Sequence, residues 1–442
     1  VRATSREIAR VTAAAGDGDP GSRGRGPLSL IAEAEFRKLW SVGVLQGSMR
    51  WLELLAIGVW TYALTDSPVL VALMTMLRQL PMALFGSVIG AVAERLDRKA
   101  ILVAAQAIMA ITSGLLAVLV TSGSIELWHV GVGAFVNGLC WSTDLPVRRT
   151  ILGESVGVDR LGPAMSMDSA SNNATRLVGP LAGGALYAAV GLGGAFVVAA
   201  LFYGISALVA ASVRFTPARS EPRRFTLVAD IREGLAYLRR SRALLGHLGV
   251  TVIVNLFGIP YAAMAPVVGR ETFAVDAVRV GLLLTVEGIG AFVGAVAIAF
   301  LATPDRFRLI YLSGSALIMI GVLTFSLTTN YWVALVVLAI GGFGIAGFAS
   351  MQSAIMFGEA PPAIRSRLMG VLSVCIGSGP LGVLHVGWLA DHLGGSRALT
   401  VIAAEGLVAL TLLVVAVPEL RGRTPVTAPG GTDPSGRGAG SS

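Results

Sequence analysis

The sequence predicts an all-α membrane protein whose twelve transmembrane helices form two pseudo-symmetric halves of six. Three observations predict it. The 442 residues are 54% hydrophobic and 14% charged, with a mean hydropathy of +0.75, so a water-soluble fold of this length would expose too much apolar surface to stay monomeric. Glycine, proline and charge divide the chain into twelve apolar stretches, each near the ~20 residues that a helix needs to cross the hydrocarbon core. Motifs of the first half also recur, in order, in the second.

The spans are read at 39–64, 70–93, 100–122, 127–148, 164–190, 194–214, 243–270, 277–302, 306–328, 331–357, 365–391 and 396–418. Residues 1–38 are polar and Arg-rich and lack the apolar core and small-residue cleavage site of a secretory signal. They read as a disordered cytoplasmic tail, as do residues 419–442. Of the 34 Lys and Arg, Arg50, Arg78 and Arg176 fall within spans, and Arg270, Arg279 and Arg397 lie on one side. All the others share the side of the two tails, so the positive-inside rule places both termini in the cytoplasm. The basic composition therefore reports topology, and no nucleic-acid partner is expected. Residues 39–214 and 243–418 are the two halves, and 215–242 is the linker. Within it TLVADIREGLAYLRRS aligns Leu227, Ile231, Leu235 and Leu238 on one face, as an amphipathic helix on the inner leaflet would.

The repeat is carried by short matches. GESVGVDR at Gly153 answers GEAPPAIR at Gly358, VGPLAGG around Pro180 answers GSGPLG around Pro380, and AERLDRK answers ATPDRFR at Ala302. A duplicated six-helix unit with a central linker describes a transporter whose binding site lies near the midplane between halves. The chain carries no H-E-x-x-H, no G-x-S-x-G and no phosphate-cradling loop, and its histidines are scattered at 129, 247, 385 and 392. An enzyme and an ATP-driven pump are both disfavoured, and no cofactor is implied. Cys140 and Cys375 sit in apolar runs without metal-ligand spacing, so no metal site or disulfide is expected.

The stretches GAVAERLDRKAIL (Gly90 to Leu102) and RLVGPLAGG (Arg176 to Gly184) resemble the second-to-third-helix loop signature and the fifth-helix antiporter signature of the major facilitator superfamily. LRQLP at Leu77, W-x-x-D-x-P-x-R-R from Trp141 to Arg149 and EGLAYLRRS are similar to the branch of enterobactin-type exporters and transmembrane secretion effectors. The resemblance covers residues 36 to about 418. It implies the twelve-helix facilitator fold in a bacterial cytoplasmic membrane, a small-molecule substrate and proton-driven export. Two positions depart from the pattern: Glu94 stands where aspartate is usual, and Arg50 near a position that is often acidic.

Ionisable groups inside a membrane cost about 2.5–3.5 kcal/mol each on insertion scales, so those retained face a cavity or one another. Arg50, Glu53, Arg78, Arg176 and Glu287 all fall at middle depth. Arg50 and Glu53 are spaced to pair on one helix face. Arg78 and Glu287 hold corresponding positions in spans two and eight, which would set opposite charges across the cavity. Glu53 or Glu287 is the expected proton carrier. Glu94, Arg95, Asp97, Arg98, Asp144, Arg148 and Asp168, with Gly90, form an inner-side cluster expected to close the cytoplasmic gate. In RLVGPLAGG, Gly179, Gly183 and Gly184 would let a neighbouring helix approach, and Pro180 would free the carbonyl of Arg176. Gln46, Asn137, Trp141, Asn172, Asn255, Gln352 and His385 are the cavity candidates, a mixed set suited to an amphipathic, drug- or siderophore-like molecule. Glu405 has no evident partner. A monomer exporting such molecules is the favoured reading; a lysolipid or lipid flippase, or an importer, on the same fold stays open.

Overall fold

The computed structural model describes residues 27–93, 97–156, 160–215, 241–359 and 365–422, and these are almost wholly helical. The first half contains α1 (Ala34–Thr65), α2 (Pro68–Ala93), α3 (Arg98–Thr121), α4 (Leu127–Val156) and α5 (Leu161–Ala211). The second contains α6 (Arg242–Ile253), α7 (Ala265–Glu271), α8 (Ala277–Leu301), α9 (Phe307–Leu327), α10 (Tyr331–Glu359), α11 (Arg365–Ile376), α12 (Gly379–Leu393) and α13 (Gly395–Ala416). Glu94, Arg95 and the linker residues 216–240 lie outside the described residues, so neither the loop acid nor the amphipathic linker helix is placed.

Local signals set the helix ends. Asp97 caps α3 by accepting from the backbone N–H of Lys99 and Ala100, Ser241 caps α6 through Leu244, and Asp276 caps α8 through Arg279. Asp66 turns the chain out of α1 in the left-handed region, at φ 49°. A 51-residue α5 would be roughly 75 Å long at 1.5 Å per residue, more than twice the bilayer core. It is broken at Gly191, whose φ of 67° and ψ of −172° a side chain would resist. The break falls between the fifth and sixth spans read from the sequence.

Ten of the described helical segments are long and apolar enough to cross a membrane, the broken Pro163–Ala211 counting as one. Helix α4, with His129, Asn137 and Asp144 inside it, is not among the ten. Two spans are less regular than the sequence suggests. Between α6 and α7 the chain passes through a π turn (Val254–Gly258) and a 3-10 turn (Ile259–Met264), where Pro260 and Pro266 withdraw backbone donors. The eleventh span is interrupted at Gly377 and Ser378, between α11 and α12. These two breaks are neighbours, since Gly382 leaves no room for a side chain against the Leu256 carbonyl. Among the described residues, part of each segment expected as a tail is folded. Pro27–Ala32 forms a 3-10 turn that buries Leu30, and Pro418–Arg421 buries Leu420 over Gly246.

The alternation of helices gives the bundle two ends. One is the terminal end, where the chain enters and leaves; the other, the turn end, carries the turns at residues 66, 272–276 and 394. The halves meet through α5 against α8, α2 against α12, and α1 against α7. Within the halves, α4 packs on α5 in the first and α9 on α10 in the second.

Candidate functional site

Glu53 is fully enclosed in the first half. Its Oε2 accepts from Arg78 Nη1 at 3.1 Å and Tyr203 Oη at 3.1 Å, and its Oε1 accepts from Ser113 Oγ at 2.7 Å. The Asn137 amide nitrogen donates to both oxygens, at 3.2 and 3.3 Å. The acid of α1 is thus bound by α2, α3, α4 and the second arm of α5. Burying a charge requires such a shell, because each unfilled acceptor would leave its desolvation uncompensated.

The expected Arg50–Glu53 pair does not form. The Arg50 guanidinium lies over the Trp141 ring, 3.7 Å from its centre, and has no carboxylate partner among the described residues. Positions three apart lie only about 60° from each other around a helix, so the spacing permits the pair without enforcing it; Glu53 is held by Arg78 inside its half, while Arg50 lies on the aromatic ring. Arg78 and Glu287 do not oppose each other either. Arg78 belongs to Glu53, and Glu287 on α8 accepts from Arg176 Nη2 on α5 at 3.4 Å. That pair joins the halves midway along the bundle, with Glu287 nearly buried and Arg176 39% exposed.

Around it runs a seam of close backbone contact. A side chain at Gly184 would meet the Ala277 carbonyl, one at Gly281 the Pro180 carbonyl, and one at Gly288 the backbone of Leu177. Gly179 and Gly183 face Trp51 and Leu52 of α1 instead, so they tighten the first half rather than the seam. Three polar contacts hold the turn end. Tyr62 donates to Glu271 at 2.7 Å, Ser67 to Asp391 at 2.9 Å, and Arg270 lies 3.7 Å from Asp66. Glu271 also accepts from the Gly395 backbone at 2.7 Å. A cavity of about 350 Å³ remains there, between Tyr62 and Tyr187 on one side and Arg270 and Val280 on the other.

The expected gate residues assemble within the first half. Asp144 accepts from Gln106 at 2.8 Å and from Arg148 at 3.4 Å, while Asp168 accepts from Arg148 and from Arg149, the latter at 2.8 Å. Gly43 leaves the space that the Arg148 guanidinium fills. Arg98 reaches Glu154, and Asp97 serves as the α3 cap. Gly90 lies in α2. No residue of the second half takes part among these contacts.

The cavity candidates divide. Gln46 is buried with its amide nitrogen unpartnered among the described residues, and Asn172 is exposed. Asn255 donates to the Thr251 carbonyl beside the break in the seventh span, and Gln352 donates to Thr251 Oγ1. Asn137 is committed to Glu53. His385 turns to Glu405, Nε2 to Oε2 at 2.8 Å, which supplies the partner that the sequence left unidentified. Sequence reasoning missed Tyr203, Ser113, Tyr62, Glu271 and Asp391; a tyrosine or serine in an apolar run, or an acid at a turn, carries no pattern of its own.

The sequence model of the transmembrane secretion effector family matches residues 25–427. The chain belongs to that family. It is therefore a major facilitator transporter and not an enzyme. Among similar proteins, the multidrug efflux pump Tap of Mycolicibacterium fortuitum is 26% identical over 411 residues, 90% of this chain and 97% of that one. Macrolide efflux protein A of Streptococcus pyogenes is 21% identical over 338 residues, covering 75% and 83%. The class C tetracycline resistance protein of Escherichia coli is 25% identical over 342 residues, covering 76% and 82%. The crystal structure of the nucleoside transporter NupG superposes with a TM-score of 0.67 at 15% identity, over 86% of this chain and 98% of that one. An inward-facing, unoccupied bacterial homologue of the lysosomal transporter Spinster gives 0.64 at 16%, over 87% and 96%. At these identities the two structures establish the fold alone.

Proposed function

We propose that this protein is a proton-coupled exporter of small amphipathic organic molecules, with both termini cytoplasmic, working as a monomer by alternating access of its twelve spans. The observation that carries the coupling is the Arg176–Glu287 pair, which joins the two halves. Rocking the halves apart at the turn end must break it, whereas the Glu53–Arg78 pair lies inside one half and rides along unchanged. Closed at the turn end, the carrier holds Glu287 as a carboxylate on Arg176 and takes cargo from the cytoplasm. As the turn end opens, Glu287 loses its counter-ion and takes a proton from outside. On closing, Arg176 reclaims the carboxylate and the proton leaves inward. One proton enters as one cargo molecule exits.

Arg50 on Trp141 supplies a cation without a carboxylate beside the path, with Gln46 on the same helix. A molecule offering an oxygen acceptor and an apolar body meets both needs. The macrolide, multidrug and tetracycline pumps among the relatives support a drug-like cargo. The inner-side cluster of Asp144, Arg148 and Asp168 is the stiff block that would meet the second half when the cytoplasmic side closes. The test is transport by proteoliposomes with tetracycline and a macrolide as probes. Glu287→Gln should bind either probe yet lose transport driven by a pH gradient. Gradient-driven transport at the wild-type rate in Glu287→Gln would refute the assignment, and lipid movement without added solute would make the protein a flippase.

A further inference from the structure

His385 and Glu405 form a pair on the outside of the bundle. His385 lies eight residues from the end of α12 and Glu405 ten from the start of α13, or about 12 and 15 Å at 1.5 Å per residue. In a hydrocarbon core ~30 Å thick that is near the middle. The two side chains are 38% and 40% exposed. Their neighbours along the same faces, Leu381, Trp388, Val408 and Leu412, are exposed as well. On α12 the opposite side is occupied, since Gly387 abuts Val69 and Ala72 of α2, and the flank beside His385 is closed where Gly382 abuts Leu256. The pair therefore faces lipid and not the path between the halves.

An interhelical staple would use up both groups. Here Glu405 Oε1 and His385 Nδ1 have no hydrogen-bond partner among the described residues, on side chains that are both partly exposed. A carboxyl group half-satisfied in hydrocarbon is stabilised by an amine that dissolves there in its neutral form and takes up the carboxyl proton, leaving a compact ammonium–carboxylate pair. The Phe257 ring stands edge-on to His385, 6.3 Å between centres, and closes the inner wall. We infer that Glu405 and His385 form a bilayer-facing site for a free lipophilic amine, whose ammonium group sits on Glu405 and whose apolar body lies along Leu381, Trp388 and Val408. The site is separate from the Arg176–Glu287 link and does not depend on it. It would gather lipophilic amines from the membrane interior.

The experiment uses the full chain in phosphatidylcholine vesicles, with dodecylamine carrying a photoreactive diazirine and dodecanol carrying the same group. After irradiation, peptides covering residues 381–412 are quantified by mass spectrometry. The amine should label them several-fold more than the alcohol, Glu405→Gln should abolish the difference, and His385→Asn should keep it. Equal labelling by amine and alcohol on the unaltered chain would overturn the inference whether or not the variants fold. So would amine labelling unchanged in Glu405→Gln, which would leave the pair a plain staple. Adding phosphatidylethanolamine should not lower the signal; competition would assign the site to a lipid headgroup and overturn it equally.

Discussion

Arg78, Ser113, Asn137 and Tyr203 occupy the acceptor positions of Glu53 from one half of the bundle, so that carboxylate is a fixed part of its wall. Removing one partner of a buried pair leaves an uncompensated charge, typically at a cost of about 3–5 kcal/mol. Arg78→Met should therefore lower the thermal unfolding midpoint in detergent markedly, and adding Glu53→Gln should restore part of the loss. An additive double variant would show that the two groups do not stabilise each other. The presence of these charges was legible in the sequence, because an ionisable side chain in an apolar span stands out. Their pairing was not. Spacing along one helix suggested Arg50 for Glu53, but partners are chosen by how neighbouring helices are rotated, which no local pattern records. The same limit explains His385, a cavity candidate by depth that faces the opposite way.

Among elements, α5 and α8 decide how closely the halves approach. Gly184 stands against the Ala277 carbonyl of the other half, whereas Gly183 stands against Leu52 of its own. Gly184→Leu should wedge the seam apart at the turn end, and a cysteine at Val59, which lines the cavity there, should then react faster with a polar maleimide. Gly183→Leu should loosen the first half and lower its melting temperature without that gain. Equal acceleration in both variants would remove the seam's special role. The motif RLVGPLAGG announced close packing, since glycine and proline in an apolar helix have few other uses. Which glycine met which neighbour depended on the helix face, and two of three turned inward. The interruptions of the seventh and eleventh spans were hidden similarly: Pro260, Pro266 and Gly377 are visible, but their proximity to each other through Gly382 is a tertiary fact.

At the scale of the whole molecule, the fold was the most legible feature because hydrophobic length and arginine asymmetry are summed over hundreds of residues. In a variant lacking Cys140 and Cys375, single cysteines at Ser67 and Ser124 should react with an impermeant maleimide from outside the cell, and one at Ser212 should not. The reverse pattern would invert the orientation and with it the direction of the cycle. The central claim is that a proton taken up by Glu287, once opening has parted it from Arg176, holds the turn end open. It is tested most directly by pulsed electron resonance between spin labels at Ser124 and Thr328, on turns of the two halves. Moving the reconstituted protein from alkaline to acid buffer should lengthen this distance in the wild type, and Glu287→Gln should hold the longer distance at both extremes. A wild-type distance indifferent to pH, or a Glu287→Gln variant that still responds to acid as the wild type does, would contradict the account.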